Sequence, residues 1–178
     1  MSAFPDWKKY VVPQRRPESG CIPTGYEILL RAVGVEGIDY AAFQDDFDLD
    51  KDRSDNELPR NNFQSVSELI QRKYPHVQFT IKNFPDDAGN EKVAFIEHSL
   101  NNKRLVLIAL NMAVFGYRSW HIMPVVDMDE ATFLLVNVVK PNGTIEVLKI
   151  AKDIIAHAHN ELSGGKDIAY LSETISAA

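Results

Sequence analysis

Gln14 to Val33, QRRPESGCIPTGYEILLRAV, runs from a polar loop through the only cysteine of the chain into an apolar segment. Ser19 and Gly20 are loop residues, Pro23 suits the opening turn of a helix, and Tyr26, Leu29, Leu30 and Val33 recur at helical spacing. The spacing places Cys21 at or just before the start of a helix. At a helix start the unpaired backbone N–H groups and the positive end of the helix dipole favour an anion, so a thiolate is stabilised there. Gln14 precedes the sulfur by seven residues, close enough on a loop to bring a side-chain amide to the same place. A lone cysteine is ordinarily a small buried hydrophobe. Here its setting points to chemistry.

The second informative stretch is Ser119 to Val139, SWHIMPVVDMDEATFLLVNVV, which reads as two apolar strands around a polar turn at Asp127 to Ala131. A turn centred on Asp129 sets His121 across from Asn137, Met123 from Leu135 and Val125 from Phe133, and directly opposed residues share a face. An imidazole on a strand, with an amide oxygen on one ring nitrogen and a sulfur on the other, is the Cys-His-Asn arrangement of papain-like enzymes. Asp127 is the competing third member, but it lies roughly 20 Å along the strand from His121, against about 5.5 Å for a cross-strand neighbour.

Q-(x)-PESGCIPTGYEILLRAVG, followed by W-H-I-M-P-V-V and F-L-L-V-N, resembles the papain-like cysteine peptidases of the bacteriocin-processing, double-glycine type and their free-standing relatives. The resemblance implies an α+β papain-like domain, an N-terminal helical part bearing the nucleophile packed on a C-terminal antiparallel sheet. It implies Cys21 as nucleophile, His121 as general base, Asn137 as orienting group and Gln14 as oxyanion-hole donor. Three positions depart from the family pattern: Ile22 stands where a glycine usually follows the cysteine, Gln14 lies one residue further from it, and Asn137 replaces the more usual aspartate.

At 178 residues and 45% hydrophobic, the chain fits one domain, residues 1–178. A net charge of −6 argues against nucleic acid and anionic membranes as partners and leaves peptides or small amides as substrates. The opening residues hold no signal-like apolar core and no run reaches the ~20 apolar residues of a membrane span, so a cytoplasmic protein is expected. One cysteine excludes an intramolecular disulfide and a thiolate-rich zinc site. The expected chemistry needs no metal or organic cofactor: a thiolate attacks an amide carbonyl, an acyl-enzyme forms, and water releases it. Two other readings share these residues, a catalytically inactive domain that binds a peptide and a thiol amidase acting on a non-peptide amide.

The most polar stretch, QDDFDLDKDRSDNELPRNN, spaces Asp46, Asp48, Asp50, Asp52 and Glu57 like a calcium loop, yet Lys51 takes the place of the turn glycine and Arg53 that of an apolar residue. It reads as a solvated acidic loop that, bordering the cleft, would favour basic substrates. Elsewhere, periodicity predicts a short helix at 38–43, helices at 66–74, 91–101 and 150–162, a half-exposed strand at 76–84, and a central strand at 105–110. A third meander strand follows Pro141-Asn142-Gly143 at 144–148, and a short edge strand is expected at 168–171. His157 and His159 are too close in sequence to share a helical face and are rejected as a metal pair.

Overall fold

The computed structural model describes residues 5–115, 120–157 and 168–174. Helix α1 (Cys21–Val33) begins at Gly20, whose carbonyl accepts the Thr24 N–H at 3.1 Å. It ends at Gly34, which takes a left-handed φ of 74°. The Gly34 and Val35 N–H groups return to Arg31 and Leu30, closing the last turn in the way glycine permits. Its apolar face buries Ile22, Tyr26, Ile28, Leu29 and Leu30, each side chain contributing about 1.5–3 kcal/mol. A Cβ on Gly25 would come within 2.9 Å of the Leu107 side chain, so the glycine sets how closely α1 rests on the sheet.

Two further helices follow, α2 (Phe43–Phe47) and α3 (Phe63–Lys73). Asn62 opens α3 by accepting the Ser65 N–H at 2.9 Å. Strand β1 (Val77–Lys82), helix α4 (Gly89–Asn101), strands β2 (Val106–Asn111), β3 (Trp120–Met128), β4 (Thr132–Val139) and β5 (Ile145–Ala151), helix α5 (Lys152–His157) and strand β6 (Ile168–Thr174) complete the order. The strands form one sheet, β1-β6-β2-β3-β4-β5, with every pairing antiparallel. Strand β2 is buried along Val106–Leu110 and packs against both α1 and α4, so helices cover both faces of the sheet centre. The architecture is α+β.

Four local expectations change. The helix near 38–43 sits later, at Phe43–Phe47. Ile150 and Ala151 extend β5, and helix begins only at Lys152, because Ile150 is taken up opposite Phe133 in the sheet. The 158–162 part of that expected helix and His159 lie outside the described residues. The segment at 168–171 is not an edge strand: β6 lies between β1 and β2, where its Ile168 and Ala169 are fully buried. The hairpin register differs as well. Val125 stands opposite Leu135 and Met128 opposite Phe133, with a bulge between Val125 and Asp127. The turn explains it. Asp129 accepts from the N–H groups of Ala131 and Thr132 and from the Thr132 hydroxyl, which moves the turn centre towards β4.

Candidate active site

Cys21 occupies the first turn of α1, and its environment is built by buried polar groups. A Cβ on Gly20 would meet the Arg16 carbonyl at 2.9 Å, so the turn that delivers the chain to the cysteine has room for glycine alone. Thr24 Oγ1 shares its one proton between the Gly20 carbonyl at 2.6 Å and Gln44 Oε1 at 2.9 Å. Gln44 also accepts the Arg15 N–H and donates to the Pro13 carbonyl and to Glu27 Oε2, clasping the loop ahead of the cysteine onto α1. Glu27, itself buried, is held in turn by Arg31 at 2.7 Å. One turn along, the Tyr26 hydroxyl donates to the Phe63 carbonyl at 2.9 Å and lies 2.5 Å from Ser67 Oγ. Its burial pushes the phenol well above its ordinary pKa.

Burial pushes the Cys21 thiol up as well. Backbone N–H groups of Ile122, Ile22 and Cys21 itself act against that, and the nearby carboxylate of Asp48 adds to the rise. The thiol is therefore the resting form at neutral pH. The N–H groups that favour the anion come from the start of α1 and from β3, but burial outweighs them. Asp48 is buried beside the loop. Its Oδ1 accepts from Ser19 Oγ and from the Asp50 N–H, and its Oδ2 has no partner among the described residues.

His121 is the residue immediately before Ile122, so the imidazole and the sulfur are tied to the same short piece of β3. The sulfur makes no hydrogen bond to the ring. Trp120 and Ile122 line the cleft beside Cys21, whereas His121, alternating between them, stands on the opposite face of β3 and is not part of the cleft lining. Its Nε2 lies 3.0 Å from the Asn137 backbone oxygen. A carbonyl only accepts, so Nε2 carries the proton, and in the neutral ring Nδ1 keeps its lone pair. Asn137 thus meets His121, but through its main chain. Its side-chain amide instead donates to Glu146 Oε1 at 3.1 Å. The cause is a bulge in the β4–β5 pairing between Val136 and Val138, which places Asn137 out of the ladder and re-aims its groups. Glu146 is paired with Lys140 at 2.9 Å, and that contact, followed by the Asn137 amide, holds its carboxyl below the usual range.

Gln14 does not reach the sulfur: its amide donates to the Arg16 carbonyl at 2.8 Å. Asp127 accepts the Met128 N–H, and Asp129, held down to about 2 by the Thr132 hydroxyl and the turn N–H groups, closes the hairpin. His76 is bonded to the Glu36 carbonyl and His98 to Asn102. The calcium-like carboxylates pair internally: Asp46 with Lys73 and Lys51, Asp48 with Ser19 and Arg16, Asp50 with Ser19. Among the described residues no group of three or more ligating side chains could hold a metal.

The sulfur opens onto a cleft of about 860 Å³ lined by Ile22, Leu49, Arg60, Ile81, Trp120 and Ile122 among others. Trp120 and Leu49 are about half exposed at its rim. Arg60 is the functional candidate that the sequence reading passed over. It sits in a charge-rich loop beside Glu57 and looks like an ordinary surface residue. Gln44 was equally silent, because nothing local marks a buried amide.

No family model matches the chain, and no curated protein matches it. Among solved structures, a Bacillus anthracis protein described as a C39-like peptidase superposes with a TM-score of 0.59 over 98% of this chain and 99% of that one, at 13% identity. The chain has a C39-like peptidase fold. No helix among the described residues is long and apolar enough to cross a membrane.

Proposed function

We propose that this protein is a cysteine peptidase-like hydrolase in which Cys21 attacks a peptide or amide carbonyl, within a papain-like arrangement of helix and sheet. The observation that carries this reading is the convergence at Cys21. A lone thiol at a helix start, beside backbone N–H groups that favour its anion, opens into a large cleft that also holds Trp120 and Ile122, the residues on either side of His121. The shared fold with a C39-like peptidase supports it.

In this mechanism β3 turns His121 from the Asn137 side of the sheet into the cleft as substrate enters, a rearrangement of the strand and not only a shortened contact. Nδ1 takes the thiol proton, and the sulfur adds to the carbonyl carbon. The Cys21 N–H, with the Gln14 amide swung from Arg16, holds the developing oxyanion. His121 then gives the proton to the leaving amine, and water, deprotonated by the same nitrogen, releases the acyl group. Asn137 steadies the ring at rest. A double-glycine leader is one substrate that the sequence resemblance suggests, and the cytoplasm one location.

The test is mass spectrometry of the protein incubated with mixed peptides. An acyl adduct on Cys21, with turnover lost in Cys21→Ala, is expected; hydrolysis that survives Cys21→Ala ends the proposal. The raised thiol pKa and the missing sulfur–imidazole bond favour one alternative, a peptide-binding domain without catalysis. It predicts peptide retention that persists after Cys21 is alkylated, and no adduct.

A further inference from the structure

Arg60 is 4% exposed, yet two of its three guanidinium nitrogens, Nε and Nη1, are buried and have no partner among the described residues. Only Nη2 is occupied, donating to Glu57 Oε2 at 3.0 Å. A guanidinium cannot shed its proton, and a buried charge without full pairing is costly. This one lines the same cleft as Cys21. Around it the cleft wall is neutral: Asn61, Asn62, Gln64 and Asn83 supply amides, and Phe63 and Ile81 supply apolar surface. The acidic loop that carries Arg60 directs Asp45, Asp46, Asp48 and Asp50 to Arg15, Lys73, Arg16 and Ser19. None of these four carboxylates lines the cleft. Glu18 is the acidic side chain that does, and it is exposed to water, which screens it far more than burial allows for Arg60.

We propose that the cleft takes substrates carrying a carboxylate, which Arg60 binds. This rests on the hydrolase reading and adds the substrate class. It reverses the expectation that the acidic loop selects basic substrates, because none of the loop's carboxylates lines the cleft while its Arg60 does. Guanidinium and carboxylate match in planar geometry, and their hydrogen bonds are charge-assisted. The carboxylate has two possible sources, the C-terminus of a peptide or an Asp or Glu side chain within it.

The experiment uses immobilised full-chain Cys21→Ser protein and mixed hexapeptide pools, with retained peptides identified by mass spectrometry. One pool has free C-terminal carboxylates, one is amidated and contains Asp or Glu, and one is amidated with Asn or Gln instead. A carboxylate pool should be retained at least about tenfold over the neutral pool, as charge-assisted pairing implies. Whichever carboxylate pool is enriched names the source. In Arg60→Gln the preference should vanish, and in Arg60→Lys part of it should return, with melting curves confirming that both variants fold. Equal retention of all pools, or retention of none, overturns the proposal and leaves water as the partner of Arg60. Parallel incubation of the parent protein separates the two ideas. Cleavage without carboxylate preference removes the Arg60 role and keeps the hydrolase. Arg60-dependent retention without cleavage or adduct does the reverse.

Discussion

The nucleophile and the base are held differently. The Cys21 wall is over-determined: Gly20, Thr24, Gln44 and Glu27 form one connected buried network, and Tyr26 ties the same helix to α3. The His121 imidazole, on the opposite face of β3 from the cleft, rests on a single contact to a main-chain oxygen at a bulge, on a half-exposed stretch of the strand. One side fixes the nucleophile in place, while the other holds the base by one hydrogen bond. Precision on one side and freedom on the other suit a site that assembles around its substrate.

The largest effects should come from the reacting groups. Cys21→Ala and His121→Ala are each expected to lower turnover by at least about 10⁴-fold with melting temperatures nearly unchanged. A His121→Ala enzyme with near-parent kcat would show that the imidazole takes no part. Asn137→Ala should be much milder, less than about tenfold in kcat/KM, because the backbone oxygen that holds the ring remains. A loss as deep as that of His121→Ala would mean that the side chain, and not the main chain, serves the imidazole during turnover.

Next are the two glutamines, whose effects on stability should differ. Gln44→Ala strands the Arg15 N–H, the Pro13 carbonyl and Glu27, so a loss of about 2–4 kcal/mol in chemical denaturation is expected. Gln14→Ala should leave stability within about 0.5 kcal/mol. Its effect on kcat then reports whether the amide leaves Arg16 to serve the oxyanion. Asn62→Ala, which uncaps α3 where it borders the cleft, should cost about 1 kcal/mol, a fall of roughly 2–4 °C in Tm.

The smallest effect is a pH dependence of the resting thiol. With its folded pKa raised by burial, Cys21 stays protonated in the fold after the unfolded chain begins to ionise near about 8.5. The unfolded state then binds fewer protons than the folded one, so stability should fall as pH rises through that window, and Cys21→Ala should flatten the slope. Iodoacetamide should likewise react slowly at neutral pH and faster only in alkali. Rapid alkylation at pH 6 that depends on His121 would show that the ion pair already forms in solution.

Much of this was legible in the sequence where the signal is local. The place of Cys21 at the head of α1, the helix stopping before Pro75, the β3–β4 hairpin and the Pro141-Asn142-Gly143 turn all follow from periodicity and punctuation. What could not be read depends on partners distant in sequence. The short apolar run Ile168–Leu171 announces a strand but not its neighbours, so β6 read as an edge. The Asp129 side chain moves the turn centre, and bulges at Val126 and Asn137 shift the register, while none changes the apolar pattern. Gln44 and Arg60 look like surface residues because burial of a polar side chain is decided by what packs over it.

The position of β6 has a consequence for how the protein is made. Ile81 and Asn83, on one side of the cleft, hang on and just after β1, and in the sheet β1 joins the rest only through β6. The contact between Ile81 and Ala169 closes a long loop, a slow step that waits until β6 has left the ribosome. Until then the nucleophile helix is translated but its cleft lacks a side. Synthesis order thereby acts as a timer, and a growing chain carries its thiol without a finished place to use it.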